Sequence, residues 1–272
     1  MPKVNKIKDT VEAVTGLVKS VPIYPDTIQP AAKELGKSLE TVAKTVNIAL
    51  TPLKALVWSF EKLQNFIDIK VSEKLINTPQ KDIQTPRANI VVPSLQALSY
   101  SDEEPELQEL FANLIAASMD KHTSSFVHPS FVEQIKQLTP DEAKLLRYFS
   151  IADSLPLISI KSKNKVGAGE YERYRHVSLL GEKAGCANPH LTSIAIDNLV
   201  RLGLIEIPQN ITYAEKQTYN ELINHPEIKA ICEEIDKEEG RQFRIVEEII
   251  TITDFGKQFI NICVTDHKEH KK

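Results

Sequence analysis

A basic segment between Lys161 and His176 holds the residues of this chain best suited to chemistry. Its cations and aromatic rings are Lys161, Lys163, Lys165, Arg173, Arg175 and His176, interleaved with Tyr171 and Tyr174. Cations fix phosphates and tyrosine rings stack on bases, so the segment is a candidate nucleic-acid patch. The alternative, which we favour, is a solvated loop at a glycine-bearing hairpin tip. Gly167-Ala168-Gly169 is too short for a phosphate loop and lacks its Lys-Ser/Thr ending.

A second candidate is the helix predicted to start at Asn188-Pro189. Its polar side chains are His190, Thr192, Ser193, Asn198 and Arg201. In a winged helix this third helix would lie in the major groove and donate to base edges and phosphates. Asp197 and the acidic residues Glu233, Glu234, Asp236, Glu238 and Glu239 would repel the phosphate backbone. We therefore favour protein contact or a structural role for this module.

Catalytic patterns are absent from the sequence. His128 stands before Pro129 without a neighbouring nucleophile or acid, which favours a helix-cap or packing role. There is no His-Glu-x-x-His, nucleophile elbow or kinase motif. Cys186, Cys232 and Cys263 are far apart and odd in number, so neither a disulfide framework nor a zinc ribbon is expected. We predict a non-enzymatic protein of the reducing cytosol, with no metal and no cofactor.

The N-terminal third is predicted to be helical. Residues 4–18 form an amphipathic pattern, and Pro22, Pro25 and Pro30 follow as an elbow. A long apolar seam then runs through Val42, Val46, Ala49, Leu50, Leu53, Leu56, Val57, Phe60, Leu63, Ile67, Val71 and Leu75. Thr51-Pro52 predicts a break in it. No uncharged apolar run of about 18 residues is present to span a bilayer, and we predict no signal peptide.

The face opposite this seam carries the only tryptophan. Lys44, Lys54, Trp58 and Lys62 lie on these helices and form a candidate membrane or partner face. Burial of Trp58 by a second layer is the alternative that we favour. The formal net charge of -4 gives no overall attraction to anionic lipid or nucleic acid, so local patches must supply it.

The middle of the chain carries helix signals. Residues 79–93 predict a connector with an extended Ile90-Val91-Val92 piece. Ser101 with Glu104, and Thr139 with Glu142, are predicted capping boxes, and Asp102, Glu103 and Glu104 are placed in a first helical turn. An apolar stripe follows at Leu107, Leu110, Phe111, Leu114, Ile115 and Ser118. Pro129 opens a shorter helix that buries Phe131, Val132 and Ile135.

The element order after Thr139 resembles a winged-helix module. The pattern predicts a helix at 141–150, a strand at 157–160, the basic loop, a short helix at 177–185 and the third helix, whose apolar positions are Leu191, Ala195, Leu199 and Leu202. Gly203 stops that helix. Strands at 204–207 and 244–252 enclose an acidic helical insertion at 212–240, and Thr253 opens a closing helix.

Three strings carry a family resemblance: ELFANLIAASMD, VHPSFVEQIKQLTPDEAKLL and NIALTPLKALVWSFEKL. They resemble the abortive infection alpha family, closely over about residues 30 to 150 and more loosely elsewhere. The resemblance implies a bacterial or phage-related protein that defends against phage by arrest or death of the infected cell.

The predicted fold is mainly α, with an N-terminal helical hairpin or bundle followed by a winged-helix-like α+β module with a helical insertion. The predicted parts are an N-terminal helix and elbow at 1–30, a helical domain at 31–138, the module at 139–265 and a disordered tail at 266–272. We expect defence through a protein partner or phage component, with self-association compatible with the seam. The alternatives are a membrane-active effector that uses 31–76, peripheral at the inner membrane, and a nucleic-acid-binding regulator.

Overall fold

The computed structural model describes residues 60–101 and 103–265. The amphipathic helix at 4–18, the proline elbow, the Thr51-Pro52 break, Asp102 and the tail at 266–272 lie outside the described residues.

The described chain begins with a helical rod in three consecutive segments. Helix α1 spans Phe60–Phe66, a π-helical segment spans Ile67–Val71, and a last turn spans Ser72–Lys74. Buried residues along it are Leu63, Ile67, Val71 and Leu75. This burial confirms the C-terminal end of the predicted seam.

Helix α2 (Ala88–Leu98) replaces the end of the predicted connector. A 3-10 turn at Gln80–Asp82 precedes it, and Pro93 lies inside it. An interior proline costs a helix about 3 kcal/mol. Burial of an Ile, Val or Leu side chain contributes about 1.5–3 kcal/mol each, and four such side chains of α2 are buried: Ile90, Val91, Leu95 and Leu98. The prediction of an extended segment at 90–92 was therefore wrong, because the free energy gained by burying these side chains exceeds the cost of the interior proline.

Helix α3 (Pro105–Met119) lies at the centre of the helical part, and every residue from Leu110 to Met119 is buried. The predicted stripe is confirmed. The capping box of Ser101 and Glu104 is wrong, because Pro105 opens the helix and the Ser101 hydroxyl instead donates to the Ala97 carbonyl at 3.3 Å. Glu106 is the acidic residue of the first turn, in place of Glu103 and Glu104.

Two short helices follow α3. After a 3-10 turn at Ser124–Phe126, α4 spans Ser130–Ile135 and buries Phe131, Val132 and Ile135 as predicted. Helix α5 spans Pro140–Phe149, and its predicted capping box is confirmed. The Glu142 amide donates to the Thr139 hydroxyl at 3.2 Å, and the Thr139 amide donates to the Glu142 carboxylate at 2.6 Å.

A four-stranded antiparallel sheet forms the second layer. Its strands are β1 (Ser154–Asn164), β2 (Glu170–Val177), β3 (Ile205–Glu206) and β4 (Arg241–Ile252), in the order β2-β1-β4-β3. The predicted extent of the basic loop, 161–176, is wrong, although the favoured glycine-bearing hairpin tip is present. Its two ends are the arms of a β1–β2 hairpin, and the turn occupies only 165–169, where Gly167 and Gly169 take positive φ values of 82° and 125°.

The two outer strands of the sheet are irregular or short. β2 pairs in regular register with β1 over Glu170, Tyr171 and Glu172, and the register then shifts twice before Val177. His176 lies within the second shift, between Tyr174 and Val177, and has a left-handed φ of 51°. β3, at the other side, pairs with β4 through Ile205 and Glu206 alone.

The remaining helices follow the predicted order. Helix α6 spans Leu180–Lys183, a 3-10 turn spans Pro189–Leu191, and α7 spans Thr192–Arg201 with Gly203 beyond its end. The insertion consists of a 3-10 turn at Lys216–Tyr219, α8 (Asn220–Ile223) and α9 (Pro226–Lys237). Helix α10 spans Asp254–Phe259, capped by Thr253, and continues as a π-helical segment at Ile260–Val264.

Two apolar cores lie on opposite faces of the sheet. Leu157 of β1 joins the large core, which is built from the N-terminal helices, α5, α7 and α10. Ile158 and Ile160 point to the other face, because side chains alternate along a strand. There they pack against the insertion, through Tyr219, Leu222, Ile228, Cys232 and Ile235. The insertion therefore covers the far face of the sheet.

The described fold is mixed α+β, with helices on both faces of an antiparallel sheet. The large core draws residues from both sides of position 139, from Leu63 to Val264. The division at 1–30, 31–138, 139–265 and 266–272 stays a prediction.

Candidate interaction surface

Two polar side chains in the C-terminal half of α7 form hydrogen bonds with other residues of the chain. Asn198 donates through Nδ2 to the Gln137 carbonyl at 3.0 Å and to the buried Glu142 carboxylate at 2.8 Å. Arg201 donates to the Gln137 side chain at 2.9 Å and to Asn198 Oδ1 at 2.6 and 3.0 Å. These bonds tie the C-terminal half of α7 to α5 and to the segment before it.

The first half of α7 and the 3-10 turn that precedes it are also held by hydrogen bonds. The Thr192 hydroxyl donates to the Pro189 carbonyl at 2.5 Å, and Thr192 is buried. Asp197 contacts Nδ1 of His176, a residue of β2, at 2.7 Å. Of the predicted α7 contacts, His190 is exposed and takes part in none of these bonds.

Apolar side chains are exposed on α7 and on the turn that precedes it, beside the exposed Asp197 and Arg201. Leu191, Ile194 and Val200 are 45%, 64% and 37% exposed. Leu191, an apolar position of the predicted third helix, lies instead in the 3-10 turn at Pro189–Leu191, before α7 begins. We call Leu191, Ile194 and Val200 the α7 surface.

A groove of about 300 Å³ opens beside the α7 surface. It lies between the start of α5 and the α6–α7 connection. Its apolar lining comes from Leu145, Ala187, Leu191, Ile194 and Ala195, and its polar lining from Thr139, Asp141, Glu142, Asn188 and Thr192, with Cys186 also present. A groove of this size accepts one or two side chains of another molecule.

Asp141 shapes the α5 side of the groove. Its carboxylate accepts the backbone amides of Ala187 at 2.8 Å and Asn188 at 2.9 Å. Partial burial acts to raise the pKa of Asp141, but these two amides and the Lys144 ammonium outweigh burial and hold the pKa below its ordinary value. The ionised carboxylate therefore fixes the α6–α7 connection.

The cysteine thiol in the groove is a weak nucleophile. Burial, with the negative charge of Asp141, raises the pKa of Cys186 to about 11. The thiolate is the reactive form of cysteine, so at neutral pH this thiol stays protonated. The groove is accordingly better suited to contact than to covalent chemistry.

Most cations of the hairpin are balanced by carboxylates. Lys161 lies 3.4 Å from Glu170, Arg173 lies 3.0 Å from Glu238 of the insertion, and Arg175 lies 3.0 Å from Glu172. Arg173 also donates to the Tyr171 hydroxyl at 3.1 Å, which lowers the pKa of Tyr171. The structure brings these cations together on one hairpin, but it neutralises much of their charge.

Lys163 and Lys165 of the hairpin differ from these paired cations. Within residues 60–101 and 103–265, neither Lys163 nor Lys165 forms an ion pair. Tyr171 is engaged by the Arg241 guanidinium, which stacks 4.6 Å from the ring centre. Arg241 thus competes with a base for one face of Tyr171, and among the described residues Lys163 and Lys165 are the cations of the patch without a carboxylate partner.

His128 lies at the start of α4, away from the groove. Its Nδ1 contacts the Ser130 hydroxyl at 2.6 Å and accepts the Ser130 amide at 3.1 Å, and its ring packs against Phe131 and Phe255. This is the predicted cap and packing role.

The predicted membrane or partner face is mostly outside the described residues. Lys44, Lys54 and Trp58 lie there, and Lys62 is exposed on α1. In the described part of the chain, no helix has both the length and the apolar character needed to cross a bilayer.

Ile194 is the residue of this surface that the sequence interpretation did not single out. It falls off the stripe formed by Ala195, Leu199 and Leu202, and one isoleucine beside that stripe gives no periodic signal of its own. Its exposure and its place beside the groove are visible only in the structure.

Comparison with known proteins gives one family and one structural likeness. The family model described as abortive infection alpha matches residues 60–263. No curated protein matches the chain. An uncharacterized protein from the hydrocarbon-degrading marine bacterium Alcanivorax borkumensis SK2 is similar at 20% identity and a TM-score of 0.36, over 53% of this chain and 96% of that chain. A likeness of this size carries no argument about function.

Proposed function

This chain belongs to the abortive infection alpha family, and from that membership we propose that it defends bacteria against phage through a protein contact made by α7, without catalysis. The family supports an abortive-infection-type function. The mechanism, the protein partner and an action in the cytoplasm are our proposals.

The observation that carries the proposal is the division of polar and apolar groups on α7. Asn198 donates to the buried Glu142, and Arg201, which is itself exposed, donates to Gln137. Leu191 and Ile194 face solvent beside the groove. Exposed apolar side chains next to a groove are typical of protein-binding surfaces. The fitting partner presents an apolar anchor side chain, from a phage component or a host protein that phage infection alters.

A winged-helix-like module is part of this proposal. The order α5, β1, β2, α6, α7, β3, β4 contains the order of such a module with β2 added, and β4 lies between β1 and β3 in the sheet. The acidic insertion occupies the place of a wing. A module with an acidic wing and with exposed apolar side chains on its third helix is better suited to proteins than to DNA.

The test is a phage challenge of a host from which the gene has been deleted. Ile194→Glu should restore plaque formation to the level of the empty vector, whereas the wild-type chain should suppress it. The matched control is Ile151→Glu, because Ile151 is 77% exposed but does not line the groove. It should protect as the wild type does.

Both substitutions are at the surface, so each should change the free energy of unfolding by less than about 0.5 kcal/mol. Protection by Ile194→Glu equal to that of the wild type would remove α7 from the mechanism. Failure of the wild-type chain to protect against any member of a broad phage panel would count against the defence role itself.

A nucleic-acid-binding regulator is the second candidate, and the unpaired Lys163 and Lys165 favour it. Binding through phosphates weakens steeply with salt, so a salt titration of DNA binding by the full chain distinguishes it. The membrane-active alternative rests on residues 31–76, and co-sedimentation of the full chain with anionic vesicles tests that alternative.

A further inference from the structure

Three ligand-type side chains meet at the junction of the insertion with α6. One oxygen of Glu182, one ring nitrogen of His225 and one oxygen of Glu227 all lie within 4.8 Å of one another. Glu182 Oε2 is 3.7 Å from His225 Nε2. None of the three lines the α7 groove.

The backbone positions of the three residues are fixed. His225 is the residue that precedes α9, and Glu227 lies in the first turn of that helix. The His225 amide donates to the Leu222 carbonyl at 3.1 Å, and its carbonyl accepts from the Lys229 amide at 3.0 Å. Glu182 comes from α6. The cluster is therefore presented by two separate ordered elements.

The charge of the cluster is not balanced by nearby cations. The neighbouring Lys183 ammonium is bound by Glu221 at 2.6 Å. In the described part of the chain, neither Glu182 nor Glu227 pairs with a lysine or arginine. Two carboxylates this close repel each other, and a bound cation would remove the repulsion.

The donor set selects the kind of cation. One imidazole nitrogen and two carboxylate oxygens suit Zn²⁺, whereas Ca²⁺ and Mg²⁺ prefer oxygen ligands alone. Three protein ligands leave one tetrahedral position for water. We propose that Glu182, His225 and Glu227 bind a divalent transition-metal ion, Zn²⁺ in the first instance, which joins the insertion to α6.

The ion would act as a clamp. Its ligands lie on both sides of the boundary between α6 and the insertion, and the insertion covers the far face of the sheet through Leu222 and Ile228. A bound ion would therefore add to the stability of that cover. This inference does not depend on the α7 contact and goes beyond it.

The experiment is calorimetric titration of the chelator-treated full chain with Zn²⁺. Because His267 and His270 in the tail could also bind a metal, the titration uses a chain that carries His267→Ala and His270→Ala. In that background we expect one equivalent of Zn²⁺ to bind, and a higher unfolding midpoint with the metal.

His225→Ala should weaken Zn²⁺ binding by at least about tenfold, since even the loss of a residue that only hydrogen-bonds a metal ligand has an effect of that size. Glu227→Gln, an exposed change that leaves folding intact, should also weaken binding. The control is His190→Ala, because His190 is exposed and belongs to no such ligand cluster among the described residues. This variant should bind Zn²⁺ as the parent does.

A Co²⁺ titration adds a spectroscopic readout, since a tetrahedral site with one nitrogen ligand gives visible absorption bands. These bands should appear with the parent chain and be lost in His225→Ala. Absence of Zn²⁺ binding in the parent would overturn the proposal. Binding that is unchanged in both His225→Ala and Glu227→Gln would overturn it as well, because the metal would then lie elsewhere.

Discussion

Helix α7 and the β1–β2 hairpin both carry polar and cationic residues in the sequence, but the partners of these residues differ. On α7, Asn198 and Arg201 bond to the neighbouring helix α5 and the segment before it, through Glu142 and Gln137, and apolar side chains are exposed beside them. On the hairpin the cations stay at the surface, where carboxylates of the same hairpin and of the insertion pair with them. Residue type alone therefore does not identify an interaction surface; the partner of each side chain does.

The largest expected effect tests how tightly α7 is positioned. A methyl group at Gly181 would lie 2.0 Å from the Thr192 hydroxyl and 3.1 Å from the Pro189 backbone. Gly181→Ala should lower the free energy of unfolding by about 3 kcal/mol, because the start of α7 must move. Urea denaturation measures this loss.

Gly185→Ala is the control for that change. Its added methyl group meets no atom within 4 Å, but its φ of 66° is unfavourable for alanine. It should cost about 1 kcal/mol. Equal losses for the two variants would mean that α7 is not held by the close approach at Gly181.

The next effect concerns the inward bonds of α7. The Glu142 carboxylate receives two donors, the Thr139 amide and Asn198 Nδ2. Glu142→Gln would turn an amide donor toward one of them, and we expect a loss of about 2 kcal/mol. Glu133→Gln, an exposed change that breaks a pair with Lys136, should cost less than about 0.5 kcal/mol. If both cost the same, the buried network does not hold α7.

A smaller effect depends on pH. Asp141→Asn removes the charge that accepts the amides of Ala187 and Asn188, and it should cost about 1.5 kcal/mol at pH 7. Because the folded-state pKa of Asp141 is lowered, its stabilisation is present above about pH 4 and is lost as pH falls through the folded pKa. The gap between wild type and variant should therefore close toward pH 3. Unfolding curves across this range measure it, and a constant gap would contradict the assignment.

The smallest effect is expected on the hairpin. The double substitution Lys163→Ala and Lys165→Ala should change the free energy of unfolding by less than about 0.5 kcal/mol and leave phage protection intact. Fluorescence anisotropy with duplex DNA at low salt completes the comparison. If the wild type binds DNA and the variant binds it with a smaller salt dependence, the hairpin, and not α7, is the interaction surface.

The sequence indicated most elements because caps and apolar spacing are local signals. Thr139 with Glu142, the stripe from Leu107 to Ser118 and the stop at Gly203 all appear in the structure. The wrong predictions arose where tertiary packing outweighed a local sequence signal. Pro93 suggested a connector, but four buried side chains of α2 favour a helix.

The candidate surface could be predicted only in part. The position of α7 followed from its pattern, but the partners of Asn198 and Arg201 outside α7, Glu142 and Gln137, lie more than fifty residues away in the chain. The same holds for Arg173, which pairs with Glu238 of the insertion. Such pairings depend on tertiary contacts, which one sequence does not display.

The irregular outer strands of the sheet bear on how the chain behaves when it is abundant. A long regular border strand exposes a row of free amides and carbonyls, on which other chains can add strands and polymerise. Here the outer strand β3 is two residues long, and the outer strand β2 keeps regular register with β1 over three residues before it shifts. Neither outer strand therefore offers another chain a long regular template for strand addition.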